Sequence, residues 1–152
     1  PPSPGDFWVC VAAARGGHLE VLQWARQQHP PCPWSAVCVE AAGGRHVEVL
    51  HWWRQQQLPC PWSESVCAMA ARGGHLEMLQ WARQQRPPCP WDESVCAEAA
   101  GYGLVEVLEW ALQQQPPCPC DASLAEAVAN DYGVRVLRER AWELYKIGCT
   151  CA

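Results

Sequence analysis

The triplet Cys-Pro-Trp recurs along this chain at nearly constant spacing. It begins at Cys32, Cys60 and Cys89, and a related Cys-Pro-Cys begins at Cys118, so successive copies lie 28, 29 and 29 residues apart. Self-similarity at such a period is typical of repeat proteins, whose units pack on their neighbours. The sequence therefore predicts a single repeat domain over residues 1–152, with units at about 1–31, 32–59, 60–88 and 89–117 and a C-terminal capping unit at 118–152.

Each unit divides into a connector and two short helices. In the fourth unit the prolines within 87–91 cannot continue a helix, and Asp92 is a suitable N-cap for a helix over about 93–100. The glycines within 101–103 end that helix, and apolar residues at helical spacing predict a second one over about 104–114. The predicted fold class is therefore all-α, a short solenoid of stacked helix-turn-helix units. The N-cap slot of the other units holds Asp6, Ser35, Ser63 and Asp121.

The composition argues against several functional classes. The net charge is −5, whereas a nucleic-acid-binding domain usually has a basic surface. No run of about 18 apolar residues suits a membrane span, and no signal peptide is visible. The chain begins with Pro1 rather than Met, so we expect a processed protein or a fragment.

Eight of the eleven cysteines follow the repeat in two registers. Equivalent cysteines of neighbouring units are expected about 8–10 Å apart, beyond the Cα separation of about 7 Å that a disulfide allows. We interpret them as small buried hydrophobes in a reducing compartment. This predicts an intracellular location, either the cytoplasm or an organellar stroma or matrix. The two registers are Cys10, Cys38, Cys67 and Cys96, and Cys32, Cys60, Cys89 and Cys118.

Three stretches carry a resemblance to a known family. Ala12-Ala-Ala-Arg-Gly-Gly-His-Leu-Glu-Val-Leu22 and Ala70-Ala-Arg-Gly-Gly-His-Leu-Glu-Met-Leu79 resemble the ankyrin-repeat core, and Ser65-Val-Cys-Ala68 falls where that family has Thr-Pro-Leu-His. The period is shorter than the family's ~33 residues, and the proline-rich connector replaces its β-hairpin finger. The chain is more closely similar to the short ankyrin-like repeats, with recurring Cys-Pro-Trp, of algal and large-DNA-virus proteins. The resemblance implies a helical solenoid that binds other proteins.

No catalytic arrangement stands out. The polar residues follow the repeat, whereas an enzyme would show one unrepeated cluster, so we predict no catalysis and no cofactor. One glutamate per unit is interpreted as part of a solvated face or as the ion-pair partner of a neighbouring arginine: Glu20, Glu48, Glu77 and Glu106. Three histidines start second helices and are predicted to hydrogen-bond between adjacent turns, with metal ligation as the alternative: His18, His46 and His75.

The tryptophans fall into two groups. One group lies on the apolar side of the second helices and is predicted to pack in the core: Trp24, Trp52, Trp81 and Trp110. The other group lies in the connectors and either wedges between units or stands exposed as contact anchors: Trp34, Trp62 and Trp91. Exposed anchors would matter because aromatic side chains are enriched at binding hot spots.

Specificity is expected where the units differ, because packing keeps a scaffold uniform and a contact surface can vary. One first-helix position reads Ala12, Glu40, Met69 and Glu98, and the helix break that follows it reads Arg15, Gly43, Arg72 and Gly101. We predict as partner-binding residues Phe7, Trp8, Glu40, Trp53, Trp62, Met69, Trp91, Glu98 and Tyr102. Phe7 and Trp8 stand where later units have polar residues. The N-terminal end is therefore expected to be covered by a partner or continued by further repeats.

The function predicted from the sequence is a non-catalytic protein–protein interaction or scaffold module, with a protein partner within a larger assembly and no nucleic acid or membrane span. An accessory or linker subunit of a larger assembly, organellar or photosynthetic, is the alternative. A thiol or zinc protein is a further one, because two Cys-X-Cys pairs offer four soft ligands. Those ligands are Cys118, Cys120, Cys149 and Cys151.

Overall fold

A computed structural model describes residues 7–28, 32, 34–56 and 62–119. These residues form eight α-helices and no strand, which confirms the all-α prediction. No helix in this part of the chain is long and apolar enough to cross a membrane. The helices are α1 (Phe7–Arg15), α2 (Leu19–Arg26), α3 (Trp34–Gly43), α4 (Val47–Arg54), α5 (Glu64–Arg72), α6 (Leu76–Gln84), α7 (Glu93–Gly101) and α8 (Val105–Leu112).

The helices pack as pairs in chain order. The first helix of each pair contacts the first helix of the next, so α1 packs on α3, α3 on α5 and α5 on α7. Each second helix contacts the first helix of its own pair. The first helices of successive pairs are therefore neighbours throughout the described part of the chain.

The core is built from small side chains on the first helices and larger ones on the second. In α7 the side chains of Cys96, Ala99 and Ala100 are at most 1 % exposed, and their spacing of three and four residues places them on one helix face. Leu108 of α8 is fully buried behind them. Small residues on neighbouring first helices allow the helix axes to approach closely.

The turns between paired helices share one backbone geometry. A residue with positive φ occurs in each: Gly17 at 70°, Arg45 at 65°, Gly74 at 71° and Gly103 at 70°. Glycine adopts this left-handed conformation without the Cβ clash that other residues meet. The glycine-rich breaks in the sequence therefore end helices as predicted, and the second unit alone among these turns places an arginine in the left-handed position.

The predicted N-caps have mixed outcomes. Asp92 precedes α7, and its carboxylate accepts a hydrogen bond from the backbone N–H of Ser94 at 3.0 Å, as predicted. Ser63 precedes α5 without a side-chain capping bond. The prediction for Ser35 is wrong, because α3 already begins at Trp34. The N-cap predictions for Asp6 and Asp121, and most of the predicted capping unit, fall outside the described residues.

Candidate partner-binding surfaces

Each connector tryptophan packs edge-on against the second-helix tryptophan of its own unit. The ring centroids of Trp62 and Trp81 are 5.9 Å apart with an interplanar angle of 63°. Those of Trp91 and Trp110 are 5.8 Å apart at 67°. Edge-to-face geometry at such distances is a favourable arrangement for aromatic pairs. All four rings are half-buried and pack against the core.

An arginine from the preceding unit lies over each of these connector rings. The guanidinium carbon of Arg54 is 5.1 Å from the ring centroid of Trp62, and that of Arg83 is 4.2 Å from the centroid of Trp91. Arg83 also donates a hydrogen bond to the backbone carbonyl of Cys89 at 2.7 Å. Trp62 and Trp91 thus contact both their own unit and the preceding one, as the first of the two predicted roles requires, and their contact with a partner stays a prediction.

The prediction that Trp53 contacts a partner is wrong. Trp53 stands where the other second helices have alanine, and it is 2 % exposed. Its ring stacks on that of Trp34 with centroids 3.9 Å apart and an interplanar angle of 19°. The guanidinium carbon of Arg26 lies 4.8 Å from the ring of Trp53. The larger side chain therefore enters the interior of the stack instead of extending its surface.

The prediction that Trp24 packs in the core is also wrong, because Trp24 is 49 % exposed. Its counterparts Trp52, Trp81 and Trp110 are half-buried under the connector tryptophans of their units. In the first unit the connector slot holds Gly5-Asp6 in the sequence, and no tryptophan is present there. Trp24 is therefore exposed in the unit that lacks a connector tryptophan, the residue that covers Trp52, Trp81 and Trp110 in the later units.

Exposed aromatic residues gather on the first helix pair. Among the described residues the exposed large hydrophobic side chains are Phe7, Trp8, Val21, Trp24 and Tyr102, of which all but Tyr102 lie on α1 or α2. The rings of Phe7 and Trp8 meet edge to face, with centroids 5.1 Å apart. Val21 and Trp24 are three residues apart and share one face of α2. We call Phe7, Trp8, Val21 and Trp24 the aromatic end.

The variable positions form a second surface feature, a row that crosses the first helices. Arg15, at the end of α1, forms an ion pair with Glu40 of α3, with Nε and Oε2 3.2 Å apart. A Cβ placed on Gly43, at the end of α3, would come within 3.0 Å of Met69 Cε on α5. In the first two units the variable break residue thus adjoins the variable helix residue of the next unit.

The row continues to the fourth unit. The guanidinium carbon of Arg72, the last residue of α5, lies 5.2 Å from the ring of Tyr102. Glu98 occupies on α7 the position of Met69 on α5 and is half-buried. The differences between units are therefore matched between neighbours, as a charge pair, a small–large pair and a cation–ring pair. Internal matching of this kind accounts for part of the variation without a partner.

Two of the three histidines link neighbouring units as the structural interpretation predicts. The Nε2 atom of His46 donates to the carbonyl of Arg15 at 3.0 Å, and that of His75 donates to the carbonyl of Gly43 at 2.9 Å. Each acceptor is the last residue of the preceding first helix, whose terminal carbonyls lack partners within their own helix. His18 starts α2 and is exposed.

The glutamates at the start of the second helices are exposed, as predicted for a solvated face, and one of them, Glu77, also has the predicted arginine neighbour. Glu77 pairs with Arg45 of the preceding unit at 2.7 Å, and Glu48 lies 3.2 Å from Nδ1 of His46. Exposed pairs of this kind contribute at most about 1 kcal/mol. Where Leu104 replaces the histidine of the other units, a groove of about 310 Å³ opens beside Gly74 and Glu106, lined largely by apolar and glycine residues.

The interpretation of the cysteines as unpaired thiols is wrong for the first two units. Cys10 of α1 and Cys32 of the next connector form a disulfide, with Cα atoms 5.9 Å apart and a separation of 22 positions in sequence. Cys38 is also disulfide-bonded. The error arose because distances were compared only within each register, whereas the contact crosses from one register to the other. The expectation of a reducing compartment assumed unpaired thiols, so it loses that basis.

Cysteines of the third and fourth units meet in the same way but are thiols. Cys67 and Cys89 are free and buried, as are Cys96 and Cys118. The hydrogen bond from its neighbour Cys67 and burial raise the pKa of the Cys89 thiol far above its usual range, and Cys96 does the same for Cys118. The sequence signal that was missed is the constant separation of 22 residues, which joins each first-helix cysteine to the next connector cysteine.

Within the described residues, no three His, Cys, Asp or Glu side chains gather as metal ligands would. Cys118 has Cys96 as its neighbour. The other three residues of the zinc hypothesis, Cys120, Cys149 and Cys151, lie outside the described residues. Comparison of the chain with models of protein families, with curated proteins and with solved structures found no match.

Proposed function

We propose that the chain is a non-catalytic protein–protein interaction module, built as a short solenoid of ankyrin-like units, and that it binds its partner through the aromatic end. The observation that carries this proposal is the concentration of exposed aromatic surface on the first helix pair. Trp8 is 74 % exposed and Trp24 is 49 % exposed. Aromatic side chains are enriched in interface cores and at hot spots.

The partner that fits this surface is a protein presenting a pair of helices. At the later units the counterparts of Val21 are buried, and His46 and His75 reach the terminal carbonyls of the preceding first helix. His18 stands in the same position at the start of α2 and is exposed. A helical partner with an apolar face and an exposed helix C-terminus would make equivalent contacts with the aromatic end.

The variable row is a weaker candidate for the binding surface. Two of its exposed members already have partners within the chain, because Arg15 pairs with Glu40 and Arg72 lies over the ring of Tyr102. A partner at the row would have to replace these pairs, whereas a partner at the aromatic end removes apolar surface from water, at about 25 cal/mol per Å². Of the residues predicted from the sequence, Phe7 and Trp8 therefore support the proposal best.

The proposal is tested by site-specific photocross-linking in a native extract. One variant has a benzophenone amino acid in place of Trp8, and a matched control has it in place of Gln113, which is exposed at the other end of the described helices. We expect a reproducible protein adduct from position 8, located in a helix of the partner, and none from position 113. Trp24→Ser should weaken binding of the purified partner by tenfold or more, about 1.4 kcal/mol. The aromatic end would be ruled out as the binding surface by equal adducts from both positions. It would also be ruled out if the position 8 variant were folded, as judged by its helix content, and gave no adduct.

A structural subunit of a larger assembly is the second candidate function. Large apolar surfaces are typical of permanent interfaces, whereas free proteins seldom expose them. The exposed ring of Trp8 favours such a permanent neighbour. Native particle size distinguishes the two candidates: a subunit migrates entirely with a large particle, whereas an adaptor is also found alone.

A further inference from the structure

We propose that Cys67–Cys89 and Cys96–Cys118 are two further disulfide sites, so that each of these units is closed by the same kind of link that joins Cys10 to Cys32. This inference is independent of the partner and of the binding surface. It assigns a covalent modification to four cysteines that are thiols in this structure.

The first support is the common position of the pairs. In every case one cysteine lies on a first helix, and the other lies 22 residues later in the connector that leaves the second helix. The Cys10–Cys32 link shows that this position brings the two Cα atoms within the range of about 4.4–6.8 Å that a disulfide requires. The later pairs have the same separation in sequence, and their first helices pack on one another as α1 packs on α3.

The second support is the placement of the connector cysteines. The backbone N–H of Cys89 donates to the carbonyl of Ala82 at 3.0 Å, and that of Cys118 donates to the carbonyl of Ala111 at 3.0 Å. The two connectors are therefore attached to their second helices by the same bond. This attachment holds each connector cysteine against the first helix of the preceding unit, α5 for Cys89 and α7 for Cys118.

The third support is the contact between the sulfur atoms. Cys67 raises the pKa of the Cys89 thiol and Cys96 raises that of Cys118, so the two sulfur atoms of each pair are neighbours. The Cys89 thiol also lies 3.6 Å from the carbonyl oxygen of Ser63, and the Cys118 thiol lies 3.3 Å from that of Asp92. Both pairs thus have the same surroundings at the start of a first helix.

The reaction that closes a pair is thiol–disulfide exchange with a low-molecular-weight disulfide such as oxidised glutathione. One cysteine thiolate attacks a sulfur of that disulfide, which forms a mixed disulfide and releases one reduced thiol. The thiolate of the second cysteine then attacks the protein-side sulfur and releases the other reduced thiol. The pair loses two protons and two electrons, and the co-reactant gains them. All four thiols are at most 2 % exposed, so the exchange takes place while the unit is open, during folding or local opening.

The test is refolding of the full chain in oxidised and in reduced glutathione, followed by alkylation of remaining thiols and peptide mapping without reduction. We expect peptides linking Cys67 to Cys89 and Cys96 to Cys118 after oxidative refolding, each with the loss of two hydrogens. We also expect the urea midpoint of unfolding to rise with each link formed. Links from Cys67 or Cys96 to other cysteines, or both pairs alkylated while Cys10–Cys32 is closed, would overturn the proposal.

Variants keep the result interpretable if one cysteine is needed for folding. In Cys67→Ala/Cys89→Ala the link from Cys96 to Cys118 should still form, and in Cys96→Ala/Cys118→Ala the link from Cys67 to Cys89 should still form. Alanine is a suitable substitute, because buried alanines already line these helices. If removing one pair caused the two remaining cysteines to form disulfides with other cysteines, the equivalence of the sites would be disproved.

Discussion

The guanidinium carbon of Arg83 lies 4.2 Å from the ring centroid of Trp91, so the end of one helix pair covers the connector of the next. The same arginine donates to the carbonyl of Cys89 and thereby holds the backbone of that connector. One side chain thus joins two units through a ring contact and a hydrogen bond. Its removal should weaken the junction between them.

We expect Arg83→Ala to lower the free energy of unfolding by about 1–3 kcal/mol, from a cation–π contact of about 0.5–2 kcal/mol and a charged hydrogen bond. The measurement is urea denaturation followed by circular dichroism. Gln84→Ala serves as the control, because Gln84 is exposed at the next position of α6. In a double-mutant cycle with Trp91→Ala, a coupling energy of zero would show that the ring contact contributes nothing.

Two glycine substitutions should have opposite effects on stability. Gly74 has a φ of 71°, and an added Cβ would come within 3.2 Å of Leu104, so Gly74→Ala should destabilise the fold by about 1–2 kcal/mol. Gly101 ends α7, and a Cβ there would meet nothing within 4 Å. Gly101→Ala should therefore stabilise the fold by up to about 1 kcal/mol. Thermal unfolding of both variants measures these effects. If both midpoint temperatures shifted in the same direction, this explanation would be contradicted.

Replacing Trp53 by alanine should cost about 3–5 kcal/mol, even though alanine is the residue at this position of the other second helices. The reason is the stacked ring of Trp34, which would lose its neighbour and leave a cavity. Partner binding by the folded fraction should be unchanged, since Trp53 is buried. Denaturant unfolding measures the first effect and binding of the purified partner the second. A variant with intact stability and impaired binding would return Trp53 to the interaction surface.

The stability of the thiol form should fall as the pH rises above about 8.5, the pKa of a cysteine thiol in an unfolded chain. The pKa of Cys89 is raised by its hydrogen bond with Cys67 and by burial, and that of Cys118 is raised in the same way by Cys96. The folded state therefore keeps protons that the unfolded state releases, and this stabilisation is present below the unfolded pKa and lost above it. The slope is about 1.4 kcal/mol per pH unit for each thiol.

Urea unfolding at several pH values between neutral and alkaline measures this dependence. The matched control is the chain with Cys89→Ala and Cys118→Ala, which should show a flatter profile over the same range. An identical slope in both proteins would assign the pH dependence to other groups.

The sequence was sufficient for much of the fold because the determining signals are local. Helical spacing, glycines in left-handed turns and Asp92 as an N-cap act within a few residues of each other, and the all-α prediction is confirmed. The exposure of Trp24 and the burial of Trp53 were missed because both depend on a residue outside the helix concerned. Trp24 lacks a connector tryptophan, and Trp53 gains one in Trp34.

The cysteine contacts show the same limit in another form. Cys10 and Cys38 occupy equivalent positions on successive first helices. The disulfide instead joins Cys10 to Cys32, which lies in the connector that follows the same helix pair. Only the packing of a connector back onto the first helix of the preceding unit brings these two together. Among the predicted binding residues, Phe7 and Trp8 are exposed and Trp53 is buried. The difference depends on which side chains the rest of the array places against them.

The contact between each arginine and the following tryptophan also bears on how such an array can lengthen. The fourth unit ends its second helix with Leu112 in the position of Arg26, Arg54 and Arg83, and the next connector has Cys120 in place of tryptophan. The two halves of the contact are absent together. A duplicated unit inserted between the second and fourth would meet a matching neighbour on both sides, whereas one added after Leu112 would bring a tryptophan without its arginine. Growth of the array by duplication is therefore favoured in its middle and disfavoured at its C-terminal end.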